Sequence, residues 1–132
     1  MKITADTDIL VRAMTGDDAR QSRSAQAELA GAEMVALALP ALCELVWVLS
    51  RGYKIPAPDV AKAIRRLVDA ANVAVNRPAV AAGLAVLEAG GDFADGVIAY
   101  EGNWLGAEAF VSFDRQAVEL LEAHGHAARL LA

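Results

Sequence analysis

Short uncharged apolar runs alternate with helix-patterned segments along the whole chain, and this alternation constrains the fold more than any other feature. Residues 2–5 read as a strand that runs directly into Asp6, and residues 34–39 form an apolar run suited to a strand buried on both faces. Further short strands are expected at residues 72–75, at 109–113 leading into Asp114, and at 127–131. Between them lie helical patterns at residues 9–14, 19–30, 41–51, 59–71, 78–89, 92–105 and 115–123. Strands separated by helices pair in parallel with right-handed crossovers, which predicts an α/β fold: a three-layer α/β/α sandwich with a short parallel sheet. In such sheets ligands bind outside the carboxyl ends of the strands.

The chain has 132 residues, the size of one domain, and no linker or repeat divides it, so residues 1–132 are expected to form a single domain. Although 56 % of the residues are hydrophobic, the longest uncharged runs span only about ten residues, half of what a membrane-spanning helix needs. Asp6 and Asp8 interrupt the place where the apolar part of a signal peptide would lie, so a cytoplasmic location is expected. Cys43 is the only cysteine and sits in an apolar run, where a small buried hydrophobe is the simplest reading. His124 and His126 follow a helix end, where a cation suits the dipole. The net charge of −5 argues against indiscriminate adhesion to nucleic acid. Locally, however, Arg51, Lys54, Lys62, Arg65 and Arg66 cluster with a single acid, Asp59, among them. That segment suits a solvated helical hairpin and a phosphate-facing surface equally.

Local chemistry sets the expected helix ends. Asp8 is placed to cap the first helix, and Asp92 the helix that carries Asp95 in its first turn. Gly31 stands where a left-handed residue closes a helix, and Pro40 in the first turn of the third helix. That third helix is apolar on nearly every face, Trp47 and Val48 included, so it is expected to be almost wholly covered. Glu44 is its only charge before Arg51. A covered carboxylate needs a cation, a metal or a donor to offset its lost hydration, and no basic residue is near in sequence.

Asp6, Glu44, Asp95 and Asp114 thus form a candidate constellation. Asp6 also suits a solvated strand end, and Asp114 an ordinary N-cap. Gathered at one strand-end cleft, carboxylates about 4 Å apart would repel by roughly 4 kcal/mol per pair at an effective dielectric near 20. Protonation or a partner's basic side chain would relieve this, but the commonest answer for all-carboxylate ligation is a hard divalent cation, Mg²⁺ or Mn²⁺. The implied chemistry is metal-assisted phosphodiester hydrolysis.

Four stretches in this order, Asp6-Thr7-Asp8-Ile9-Leu10-Val11-Arg12, Leu42-Cys43-Glu44-Leu45, Asp92-Phe93-Ala94-Asp95-Gly96-Val97-Ile98-Ala99 and Val111-Ser112-Phe113-Asp114-Arg115, resemble the motifs of PIN-domain nucleases. The closest likeness is to the VapC toxins of bacterial type II toxin–antitoxin modules, and it covers essentially the whole chain. The resemblance implies that Asp6, Glu44, Asp95 and Asp114 are the family's acidic quartet, with Asp6 and Asp95 the foremost metal ligands. It implies that Thr7 and Ser112 orient a carboxylate or water, and it makes Arg12 and Arg115 candidate phosphate contacts. It further implies a Mg²⁺-dependent endoribonuclease acting on RNA, homodimeric and restrained by a cognate VapB-like antitoxin. The Ala-rich helix at residues 79–89 and the apolar surplus point to the same homodimer. Asp8 departs from the family's frequent Asn, and Gly96 from its frequent Ala, a change expected only to lower helix propensity.

Two other readings fit part of the pattern. Asp6-Thr7-Asp8 resembles the nucleophile motif of haloacid-dehalogenase-type phosphatases, with Asp6 attacking phosphate, but no lysine follows Lys62. A non-enzymatic domain that binds Mg²⁺ or a basic peptide would explain the acids but not Glu44 on a covered helix.

Overall fold

A computed structural model describes residues 1–132 as a mixed α/β chain of seven α-helices, one π-helical turn and five short strands, all strand pairs being parallel. The strands form two separate small sheets instead of one, and the chain divides into two compact units, Met1–Asn76 and Arg77–Ala132.

In the first unit the order is β1 (Lys2–Thr4), α1 (Thr7–Thr15), α2 (Ala19–Gly31), β2 (Met34–Ala36), α3 (Leu39–Trp47), the π-helical turn (Val48–Gly52), α4 (Ala57–Val68) and β3 (Val73–Ala74). Strand β2 lies between β1 and β3, with Val35 opposite both Ile3 and Val73. The expected strand at residues 34–39 is thus shorter: Leu39 already opens α3, with Pro40 in its first turn. Asn72 supports the end of α2, its side-chain amide donating to the carbonyls of Leu29 (2.8 Å) and Ala32 (3.0 Å). The helix ends there with Ala32 extended, so Gly31 is not the left-handed terminator expected; Gly16, after α1, is, at φ 70°. The core of this unit is built from Leu10, Leu42, Leu45, Leu49, Val60 and Ile64, each 2 % exposed or less.

The expectation that α3 is covered on all sides is corrected. Its buried row is Leu42, Leu45 and Val46, continued by Leu49, while Glu44 is exposed and Trp47 is 58 % exposed. One helix in contact with one core buries a single stripe, and apolar composition alone does not bury the opposite face. Glu44 therefore keeps access to water, and no desolvation argument applies to it.

The second unit runs α5 (Arg77–Glu88), α6 (Phe93–Trp104), β4 (Phe110–Ser112), α7 (Arg115–Ala123) and β5 (Ala128–Leu130). Helices α5 and α6 meet through glycines. A Cβ on Gly83 would lie 2.7 Å from the Phe93 ring, and one on Gly96 would lie 2.8 Å from the Gly83 Cα and against the Ala82 carbonyl. The small residues of α5 are thus used inside this unit, and they no longer argue for a second copy. Phe93, Val86 and Leu121 are fully buried, and Gly91, also without room for a Cβ, lies between Val86 and Leu120. After α7, His124 Nδ1 donates to the Leu120 carbonyl at 2.8 Å and closes the helix end.

Candidate functional site

Asp6 stands two residues beyond β1, extended at φ −71° and ψ 153°, and caps α1 by accepting from the Thr7 amide at 2.8 Å. The cap is therefore Asp6 and not Asp8. Asp8 falls in the first turn instead, where an acid suits the helix dipole, and it pairs with Arg12 one turn on at 3.8 Å. The Arg12 Nε is buried and makes no hydrogen bond. The Thr7 hydroxyl donates to the Ala41 carbonyl at 3.4 Å, which joins the start of α1 to the first turn of α3.

That junction places Asp6 and Glu44, distant in sequence, on one open cavity of about 400 Å³. Thr7, Asp8, Arg12 and Tyr53 share its lining, with Val11 and Val48. Sequence reasoning missed Tyr53, because its position depends on the π-helical turn. At about 100° per α-helical residue, Tyr53 would lie about 140° around the axis from Val48. The turn instead lets the Tyr53 amide donate to the Val48 carbonyl five residues back at 3.0 Å, which returns Tyr53 to the Val48 side. The Tyr53 hydroxyl donates to the carboxylate of Asp17 and fixes the ring.

The second unit holds the other acids. Asp92 caps α6 by accepting from Ala94 N at 3.1 Å, and Asp114 caps α7 by accepting from Ala117 N at 3.2 Å, as their sequence positions suggested. Ser112 Oγ accepts from the Asp114 amide at 2.9 Å, so it orients the backbone that carries the carboxylate. Asp95, in the first turn of α6, has its pKa raised, first by burial and then by the negative charges of Asp92 and Asp114. Arg115 is exposed at the first position of α7.

The structure thus gathers Asp6 and Glu44 around one cavity in the first unit, and sets Asp95 within electrostatic reach of Asp92 and Asp114 in the second. No three His, Cys, Asp or Glu side chains stand close enough together to hold a metal ion as placed. The acids in each unit are carboxylates, the oxygen donors that suit a hard divalent cation, and the ionisation of Asp95 is opposed first by burial and then by the charges of Asp92 and Asp114. No helix is long and apolar enough to cross a membrane. No protein-family model matches the chain, and no curated protein matches it.

Proposed function

We propose that the chain is a metal-dependent endoribonuclease of PIN-like, three-layer α/β/α fold that acts as the toxin of a type II toxin–antitoxin module. The observation that carries this reading is the shared cavity of Asp6 and Glu44, an acid just beyond a parallel strand beside an acid from the exposed row of α3. Within the first unit the reading rests on Asp6 and Glu44, and within the second on Asp95 and Asp114, each pair supplying carboxylates of the kind such a reaction uses. A bound Mg²⁺ or Mn²⁺ would supply Lewis acidity at the phosphate and a water acidic enough to attack it.

In the first unit Asp6, held by its cap to Thr7, is suited to hold an ion, and in the second Asp95 is the carboxylate whose charge a nearby cation would favour. Glu44, reaching the cavity from α3, is suited to accept the proton of the attacking water. Arg12 borders the same cavity, and its guanidinium, ion-paired with Asp8 through Nε, suits a phosphate oxygen; in the second unit the exposed Arg115 beside Asp114 is suited to a phosphate as well. The phosphatase alternative loses ground because the cavity around Asp6 is lined by Arg12 and not by a lysine. In a toxin of this kind a cytoplasmic antitoxin would bring a basic segment to the acids, and a homodimer would form through a surface other than the small-residue side of α5.

Purified protein with Mg²⁺ or Mn²⁺ is expected to cleave single-stranded RNA internally. Asp6→Asn and Glu44→Gln are each expected to lower cleavage by about 10²-fold or more, in line with the loss of a group acting at the reacting phosphate. Mg²⁺ should also raise the melting temperature of the wild type and do so far less for Asp6→Asn. Full activity in both variants, or equal thermal shifts, would defeat the assignment.

A further inference from the structure

On the exposed side of α3, Glu44 is followed three residues later by Trp47, and the π-helical turn that follows carries the exposed Arg51. Trp47 is 58 % exposed, and its neighbours along the helix one turn either way are Cys43, Glu44, Ser50 and Arg51. A protein interface centred on this residue would have to desolvate Glu44, a residue type that interfaces are depleted in. A flat ring flanked by a cation suits the face of a nucleobase, whose phosphate the cation then meets. Tyr53 supplies a second ring. It lines the cavity that holds Asp6 and Glu44, is brought there by the π-helical turn, and is oriented by Asp17. Lys54 and Arg51, both exposed, flank it in sequence.

We infer that Trp47 and Tyr53 are base-stacking residues that select single-stranded over duplex nucleic acid, with Arg51 and Lys54 following the phosphates. The inference rests on the nuclease reading for its substrate, but binding can be measured apart from cleavage. A duplex keeps its base faces stacked inside and offers none to either ring; an unpaired strand offers one at each nucleotide.

The test uses the Trp104→Phe background, which leaves Trp47 as the only tryptophan. A single-stranded RNA octamer is titrated in EDTA at about 150 mM salt, so that no cleavage intervenes and non-specific charge attraction is damped. The strand is expected to quench Trp47 fluorescence saturably, and the same octamer annealed to its complement to bind at least tenfold more weakly. Trp47→Ala and Tyr53→Ala, followed by anisotropy of a labelled octamer, should each weaken binding roughly tenfold, while Trp47→Phe and Tyr53→Phe retain most of it. Trp47 is exposed and Tyr53→Phe keeps the ring while losing only its bond to Asp17, and thermal melts of all four variants identify any that fail to fold. Equal affinity for strand and duplex, or unaltered binding by Trp47→Ala and Tyr53→Ala, would overturn the inference. Selective quenching without any cleavage by the wild type would uphold stacking and remove the nuclease reading; cleavage lost in Asp6→Asn but indifferent to both rings would do the reverse.

Discussion

Gly96→Ala is expected to destabilise the protein by about 3 kcal/mol or more, the upper end of what overpacking costs. In helix propensity alone the change is favourable by up to about 1 kcal/mol, so the two effects oppose each other and packing decides. The added methyl would point at the Ala82 carbonyl and lie 2.8 Å from the Gly83 Cα, both main-chain atoms of α5 that cannot turn aside as a side chain can. Relief therefore requires α5 and α6 to separate, and that loosens Phe93 and Val97, which fill the space beside Gly83. Gly102→Ala, in the same helix, provides the contrast. Its Cβ would meet nothing nearer than the Ala107 Cβ at 3.9 Å, so propensity is unopposed and stability should rise by about 0.5 kcal/mol. Thermal melts of the two variants should shift in opposite directions, Gly96→Ala downward by about 10 °C. A Gly96→Ala protein as stable as the wild type would show that the two helices do not meet as closely as described.

What the sequence made legible was mostly local. Asp92 and Asp114 cap their helices because a carboxylate two or three residues before a free amide can reach it without help from the rest of the chain. The succession of helices and short strands was readable for the same reason, since periodicity is a property of neighbouring residues. Asp6 and Asp8 were harder to separate, because both precede helical residues closely. What decides between them is that β1 delivers Asp6 in an extended conformation with its carboxylate on the Thr7 amide.

The unread features depend on contacts between distant segments. Glu44 was expected on a covered helix because nearly every residue around it is apolar, yet burial depends on how many neighbours a helix has and not on its composition. Glu44 instead shares with Asp6 a cavity in contact with water. Gly96 looked like a weakened helix position, since only the approach of α5 shows why no side chain fits. Tyr53 left no trace in the pattern because a π-helical turn moves every later residue out of α-helical phase. Nor did the run of strands reveal that they pair as two sets, because pairing is not encoded within any one strand.

Asp95→Asn is expected to abolish cleavage, by about 10²–10³-fold, and at the same time to stabilise the metal-free protein near neutral pH. An acid in the first turn of α6 gains from the helix dipole, typically 0.3–1 kcal/mol. Here that gain is outweighed, since the pKa of Asp95 is raised by burial and by the charges of Asp92 and Asp114. A carboxyl whose pKa is higher in the folded than in the unfolded chain binds more protons when folded over the interval between the two values. Stability then falls as pH rises through that interval, and the cost is complete above the folded value. Asn, which carries no charge, avoids the cost. Its advantage should therefore be present at pH 7 and vanish as pH falls below the ordinary aspartate range near 4. Melts of both proteins in EDTA from pH 3 to pH 8 measure the difference directly, and added Mg²⁺ should reverse it by stabilising only the wild type. A destabilised Asp95→Asn at pH 7, or one that still cleaves RNA, would separate the anionic environment of Asp95 from the chemistry assigned to it. Stability surrendered at one carboxylate and recovered when a cation arrives is the physical signature expected of a ligand kept ready for its ion.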